Sequence, residues 1–305
     1  MTLGLVTIFG GAGFIGRHMT PVLMGRGARV RVAGRRPEAV KPARPAATDP
    51  QPEWVRADLL DEDAIGKAVT GSAGVINLVG ILSERGLQTY ESIHIEGARR
   101  VAAAARRAGA QRLIHFSALG ARADAPARSD RSKAIGEEAV RAAFPEATII
   151  RPSLVFGPDD HFFNQFGGMA RLSPVIPMIG GGRTKFQPVH VDDVAHAVGV
   201  LADEGSPAGK VYEIGGAAVY SFRELVEILL QAIGRRRILL PIPFPVAELQ
   251  AAALELMPDP PLTRDQVRLL MTNKVVSGTE PTLADLGIVP RGVETILPMM
   301  RDKYG

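Results

Sequence analysis

Gly10-Gly11-Ala12-Gly13-Phe14-Ile15-Gly16 follows an apolar run over residues 3–9 and opens a helical pattern over residues 14–26. A glycine loop between a strand and a helix cradles a pyrophosphate, because backbone N–H groups and the helix dipole both point at it. Gly10 permits the tight turn. Gly13 lets the backbone approach the phosphates, and Gly16 lets the helix lie close on the strand. Phe14 and Ile15 complete this junction as candidate contacts. The spacing is Gly-x-x-Gly-x-x-Gly rather than Gly-x-Gly-x-x-Gly.

The next strand, residues 29–33, ends in Ala33-Gly34-Arg35-Arg36. An NAD site places a carboxylate there for the ribose 2′-hydroxyl. Here the carboxylate is missing and two guanidiniums stand in its place. Guanidinium pairs bidentately with phosphate, so Arg35 and Arg36 favour NADP(H) over NAD(H). The plainer alternative is a pair of solvated side chains in an arginine-rich chain.

Short strands and helices then alternate. Strands read over residues 54–56, 74–78, 112–117 and 148–151, and helices over 61–69, 91–108 and 129–143. A proline-rich surface loop is expected over residues 37–52. This alternation predicts an α/β fold: a doubly wound parallel Rossmann-type sheet of about seven strands. From Pro152 onward proline and glycine become frequent, which predicts a small C-terminal α/β cap. The division is residues 1–151 for the Rossmann part and 152–305 mainly for the cap, with some segments returning to the sheet.

Composition removes several classes. No cysteine is present, which excludes disulfide scaffolds, cysteine catalysis and Fe–S clusters. The charge balance of 36 basic against 32 acidic residues leaves only +4, without a basic block, so nucleic acid is not expected as a partner. No apolar run reaches the roughly 18–20 residues of a transmembrane segment. The expected location is cytoplasmic, or peripheral at the inner face of a membrane. No metal site is expected. The six histidines form no His-x-x-x-His pair, and Asp192 reads as a helix N-cap or first-turn acid. Asp159-Asp160-His161 is a substrate-side candidate.

Further segments carry a resemblance. They are Asp58-Leu59, Asn77-Leu78-Val79-Gly80, His115-Phe116-Ser117-Ala118-Leu119-Gly120, Arg151-Pro152-Ser153-Leu154-Val155-Phe156-Gly157-Pro158 and Val189-His190-Val191-Asp192-Asp193-Val194-Ala195. In this order the chain resembles the extended, atypical branch of the short-chain dehydrogenase/reductase superfamily, which includes NAD-dependent epimerase/dehydratase-like oxidoreductases. Phe162-Phe163-Asn164, the run from Gly180 to Val189, and Leu262-Thr263-Arg264-Asp265-Gln266-Val267 resemble bacterial relatives of the NADPH-binding accessory subunit of respiratory complex I. The resemblance implies that Asp58 bonds the adenine amine, Leu59 packs on the adenine, and Leu78, Val79 and Gly80 line its ribose. It also implies that Lys133 reaches the nicotinamide ribose, with Pro152 and Ser153 beside the nicotinamide and Ser117 at the end of the fifth strand.

Catalytic members of that superfamily use Tyr-x-x-x-Lys, in which the lysine lowers the tyrosine pKa. Lys133 fits the lysine, and the tyrosine position is Ser129. The four tyrosines, 90, 212, 220 and 304, lie elsewhere in sequence. Three readings remain. One is an NADP(H)-binding protein with a structural, accessory or assembly role linked to respiratory complex I or quinone metabolism. Another is a soluble NADP-dependent reductase or epimerase with Lys133 or water as proton donor, and Lys133 is then the catalytic candidate. The third is an NADP redox sensor. An apolar helix over residues 246–257 either joins the core or docks on a partner or a membrane interface.

Overall fold

The computed structural model describes residues 4–36, 51–203 and 205–305; most of the proline-rich loop, residues 37–50, lies outside them. The first strand, β1 (Leu5–Phe9), shows why the sheet is covered on both faces. Val6 and Ile8 enter one apolar core, and Phe9 enters another. Thr7 shares the Phe9 side, where its hydroxyl donates to Ala68 O at 3.1 Å and meets Ser72 Oγ at 2.7 Å. Alternate residues of a strand point to opposite faces, so an apolar run without polar alternation marks burial on both.

The chain continues through α1 (Phe14–Gly25), β2 (Arg29–Gly34), β3 (Glu53–Arg56), α2 (Glu62–Val69) and β4 (Gly74–Asn77). It then forms a π-helical segment (Glu91–Gly97) that runs into α3 (Ala98–Arg107), followed by β5 (Arg112–Phe116), α4 (Arg128–Ala143) and β6 (Thr148–Pro152). The later elements are β7 (Val155–Phe156), α5 (Phe162–Leu172), β8 (Val175–Ile179), β9 (Lys185–Phe186), β10 (Val189–His190), α6 (Val191–Leu201) and β11 (Val211–Ile214). Last come β12 (Tyr220–Ser221), α7 (Phe222–Ala232), β13 (Ile238–Ile242), α8 (Phe244–Leu254), α9 (Arg264–Leu269) and α10 (Leu297–Tyr304).

Seven parallel strands form the main sheet in the order β11-β6-β5-β4-β1-β2-β3. This is the doubly wound Rossmann-type arrangement read from the sequence. Helices α1 and α6 cover one face through Met19, Leu23, Val194 and Val198. Helices α2, α3 and α4 cover the other through Ile65, Val101, Ala105 and Val140. A third core, built on Phe156, Phe163, Phe222, Leu225, Leu229 and Met300, holds the α5, α7 and α10 layer together. From the C-terminal half, β11 returns to pair with β6.

Two elements differ from the sequence reading. The sequence predicts one α-helix over residues 91–108, but the first seven residues are π-helical. The wider turn aims His94 inward, between Ile81 N and Ser132 Oγ. The apolar helix expected at 246–257 is α8, which starts two residues earlier. It is not a core helix: only Ala247 and Ala251 are buried.

Candidate dinucleotide cleft

The carboxyl ends of β1, β2, β3 and β4 open into one cleft of about 940 Å³. Switch points in the order of open α/β sheets are where ligands bind, outside the carboxyl ends of the strands. Gly10 takes a φ of +78°, and a Cβ there would sit 3.2 Å from Val79 Cγ2. At Gly16 a Cβ would lie 2.4 Å from Gly11 Cα, so α1 packs on the loop only because residue 16 is glycine. Gly13 is the N-cap of α1 and supplies no side-chain cap. The first-turn N–H groups of that helix therefore have neither intrahelical nor side-chain partners, which makes them ready anion donors.

Of the loop residues, Gly10 and Gly13 line the cleft. Phe14, Ile15 and Gly16 do not. Ile15 packs into the core beneath α1, and Phe14 meets His18 edge-on, so these residues offer backbone N–H groups rather than side chains. Arg35 and Arg36 line the end of β2. Arg56 joins them, because the register of β2 with β3 sets Gly34 opposite Arg56. No ion pair holds any of the three among the described residues. Asp58 is the single carboxylate in the lining among the described residues. Its Oδ1 accepts from Leu60 N at 3.0 Å, a loop-capping role it fills while lining the cleft. Leu59, Leu78, Val79 and Gly80 also line the cleft, as do Ile81, Gln88 and Ile93.

The remaining site residues lie toward β5, β6 and α4. Ser117 and Ser129 are both 4% exposed, and each hydroxyl lacks a hydrogen-bond partner among the described residues. Lys133 stands one turn after Ser129 on α4, and its ammonium has no hydrogen-bond acceptor among the described residues. Burial above all pushes it down to about 8, with Lys274 acting the same way and Asp130 and Glu137 opposing. None of Ser117, Ser129 and Lys133 is among the residues that line the cleft at the ends of β1 to β4. Ser153 is committed otherwise: its hydroxyl donates to Lys274 O at 2.6 Å and accepts from Gln187 N at 3.1 Å. Pro152 ends β6 against Ile214, and its carbonyl accepts from Leu119 N.

A neutral relay supports α4 from beneath. Ile81 N donates to His94 Nε2 at 3.0 Å, which leaves Nδ1–H to donate to Ser132 Oγ at 2.8 Å. Ser132 in turn donates to Ser129 O at 2.8 Å. Burial, then Lys133 and His115, holds His94 down at about 3. Nδ1 of His115 accepts from Asn77 Nδ2 at 3.3 Å, and burial with Lys133 holds it at about 4. The sequence reading missed two further supports. Asp265 accepts from Arg128 N at 2.6 Å and Ser129 N at 3.2 Å, capping α4 where Ala127 cannot. Lys274 pairs with Asp130.

Tyr90 sits under this helix end, with Arg128 over its ring at 5.8 Å. Burial and then Asp265 push its phenol above the usual range, away from acid/base use near neutrality. Asp160 is a structural residue rather than a substrate-side one, because it accepts from Gly157 N and Phe163 N while 2% exposed. Asp192 lies in the first turn of α6, whose N-cap is His190, and pairs with His18 and Arg291.

This sheet order and glycine-lined cleft define a Rossmann-type fold of the short-chain dehydrogenase/reductase kind. The chain belongs to the NAD dependent epimerase/dehydratase family, whose profile matches residues 6–215. It is 38% identical over 299 residues to the mitochondrial NADH dehydrogenase (ubiquinone) 1 alpha subcomplex subunit 9 of Arabidopsis thaliana, covering 94% of this chain and 74% of that one. It is 37% identical over 192 residues to a ceramide reductase of Caulobacter vibrioides, covering 63% and 59%. The solved UDP-glucose 4-epimerase of Thermus thermophilus, a complex with NAD, shares the fold at a TM-score of 0.72 and 18% identity, covering 98% of each chain.

Proposed function

We propose that this chain binds NADP(H) in the cleft and serves in an accessory or assembly role linked to respiratory complex I or quinone metabolism. Residues 1–151 hold the dinucleotide, and residues 152–305 mainly face a partner. The observation that carries the cofactor choice is the triad Arg35, Arg36 and Arg56 at the ends of β2 and β3, with no carboxylate on β2. A 2′-phosphate offers these guanidiniums the bidentate partner they lack. The first-turn N–H groups of α1 face the pyrophosphate. Lys133 and the free hydroxyls of Ser117 and Ser129 supply donors at the nicotinamide end.

The accessory role rests on Ser129. A serine hydroxyl titrates far above neutrality and cannot shuttle the proton that a tyrosine one turn before Lys133 would carry. A tightly held dinucleotide still contributes to the fold: a thousandfold excess over Kd stabilises by about 4 kcal/mol. Likeness to a complex I subunit over 94% of the chain supports the same role. The test is fractionation of the native membrane under mild detergent. Co-migration with NADH dehydrogenase activity is expected; recovery of the protein wholly apart from it would overturn the accessory role.

One observation favours a second reading, a reductase. The unpaired ammonium of Lys133, held at about 8, suits a proton donor near neutrality. NADPH supplies a hydride when bound. Lys133 would then protonate the oxygen of a carbonyl whose carbon takes the hydride. The ceramide reductase relative points to a long-chain carbonyl compound as that substrate.

A further inference from the structure

The C-terminal half carries a cluster of exposed apolar side chains. On α8 only Ala247 and Ala251 are buried, while Val246 is 46% and Leu249 74% exposed, and Leu256 in the turn after the helix is 88% exposed. Met257, just past the helix end, is 51% exposed. The polar side of α8 is already spent. Glu248 pairs with Arg268 at 2.8 Å, and Glu255 with Arg264 at 2.7 Å, both through α9. What turns outward is therefore uncharged and largely apolar, with Gln250 exposed beside Val246, Leu249 and Ala253.

Next to it, β13 pairs with β8 from Ile238↔Val175 to Ile242↔Ile179. Ile238 and Leu240 of β13 are exposed, as is Leu172 at the end of α5. Hydrogen bonds from Arg237 Nε to Ala170 O and from Ile238 N to Pro174 O tie that end of α5 to the start of β13. A groove of about 590 Å³ then joins Pro241 and Phe244 to Met271 and Arg183.

The carboxylates nearest α8 in sequence are all paired, Glu248 and Glu255 as above and Asp259 with Arg85. Residues 161–191 and 228–247 contain no aspartate or glutamate, yet carry Arg171, Arg183, Lys185, Arg235, Arg236 and Arg237. Arg171, Arg183 and Arg236 are exposed, and none has a carboxylate partner among the described residues. Arg237 bonds only the backbone carbonyls of Ala170 and Arg236, whereas Arg235 bonds Tyr304 O and an oxygen of Gly305. Exposed leucines beside unpaired arginines, with the nearby carboxylates neutralised, match an anionic lipid interface: apolar side chains enter the acyl boundary and cations meet the headgroups. A protein partner would have to bring both an apolar surface and several unpaired carboxylates. No helix among the described residues is long and apolar enough to cross a membrane, so the contact is interfacial.

We propose that α8, β13 and the end of α5 form a docking surface for an anionic phospholipid bilayer. The test is co-flotation of the full chain with phosphatidylcholine vesicles, with and without phosphatidylglycerol. The protein should float with phosphatidylglycerol vesicles, stay behind with pure phosphatidylcholine, and release as salt rises. The double variant Leu249→Glu/Leu256→Glu should lose binding at least tenfold, and Arg236→Ala should lose it roughly fivefold. Both variants change exposed side chains, and circular dichroism confirms their folding. Failure to float, equal flotation on neutral vesicles, or flotation unchanged in the double variant would each overturn the proposal. So would concentration-dependent dimerisation that the double variant abolishes, since the face would then be covered by a second copy.

Discussion

Lys274 Nζ lies 2.6 Å from Asp130 Oδ2, and the two residues are 9% and 1% exposed. The pair joins the segment after α9 to the first turn of α4, beside Ser129 and three residues before Lys133. The C-terminal half of the chain thus fixes the helix that carries Ser129 and Lys133. Asp265 adds a second attachment at the backbone of the same helix end.

Breaking that pair should be costly, because a buried charge left alone is destabilising by about 3–5 kcal/mol. Lys274→Met is expected to lower urea stability by about that amount. The double variant Asp130→Asn/Lys274→Met should regain most of it. Equal losses in the single and double variants would mean the contact contributes only packing.

Charge reversal at the end of β2 tests the cofactor choice. Arg35→Glu/Arg56→Glu should weaken NADPH binding by about ten- to a hundredfold, the value of one or two charge-assisted hydrogen bonds. NADH affinity should change far less. Titration calorimetry reads both constants.

Gly16→Ala places a Cβ 2.4 Å from Gly11 Cα, and backbone cannot yield as a flexible side chain does. Overpacking of this kind costs about 1–3 kcal/mol. The melting temperature should drop and dinucleotide binding should fall with it, since the loop must move off the strand.

Two buried histidines predict acid sensitivity. His94 and His115 titrate near 3 and 4 in the folded chain and near 6.5 unfolded. The unfolded state therefore binds more protons within that window, and stability rises with pH across it. The contribution is complete above about pH 6.5 and is lost as pH falls toward 3. At about pH 5 the loss is about 2 kcal/mol for each histidine. His115→Asn should flatten the profile of unfolding free energy against pH by that amount. Lys133 acts in the same direction at higher pH, with stability rising between about 8 and 10.5.

Much of the cleft was legible because its signals are local. The glycine loop is a seven-residue word, and each glycine's role follows from one turn, one approach and one packing contact. Arg35 and Arg36 sit where a strand end would carry an acid. Arg56 was missed although it lies in sequence beside Asp58. Its meaning depends on the strand order that sets β3 next to β2, which no local pattern states. Lys274 and Asp265 were missed because they reach α4 across 144 and about 137 residues of chain. The helix at 246–257 was legible as apolar. Whether it faces core or solvent depends on which neighbours arrive, and only the alanines found any.

The most direct test is to purify the protein without added cofactor, denature it, identify the released nucleotide, and time its exchange against labelled NADPH. The account predicts NADPH in near-stoichiometric amount, exchanging over hours, as a ligand held within the fold would. Release of NAD, or failure to bind any dinucleotide, would contradict the assignment of the arginine-lined cleft.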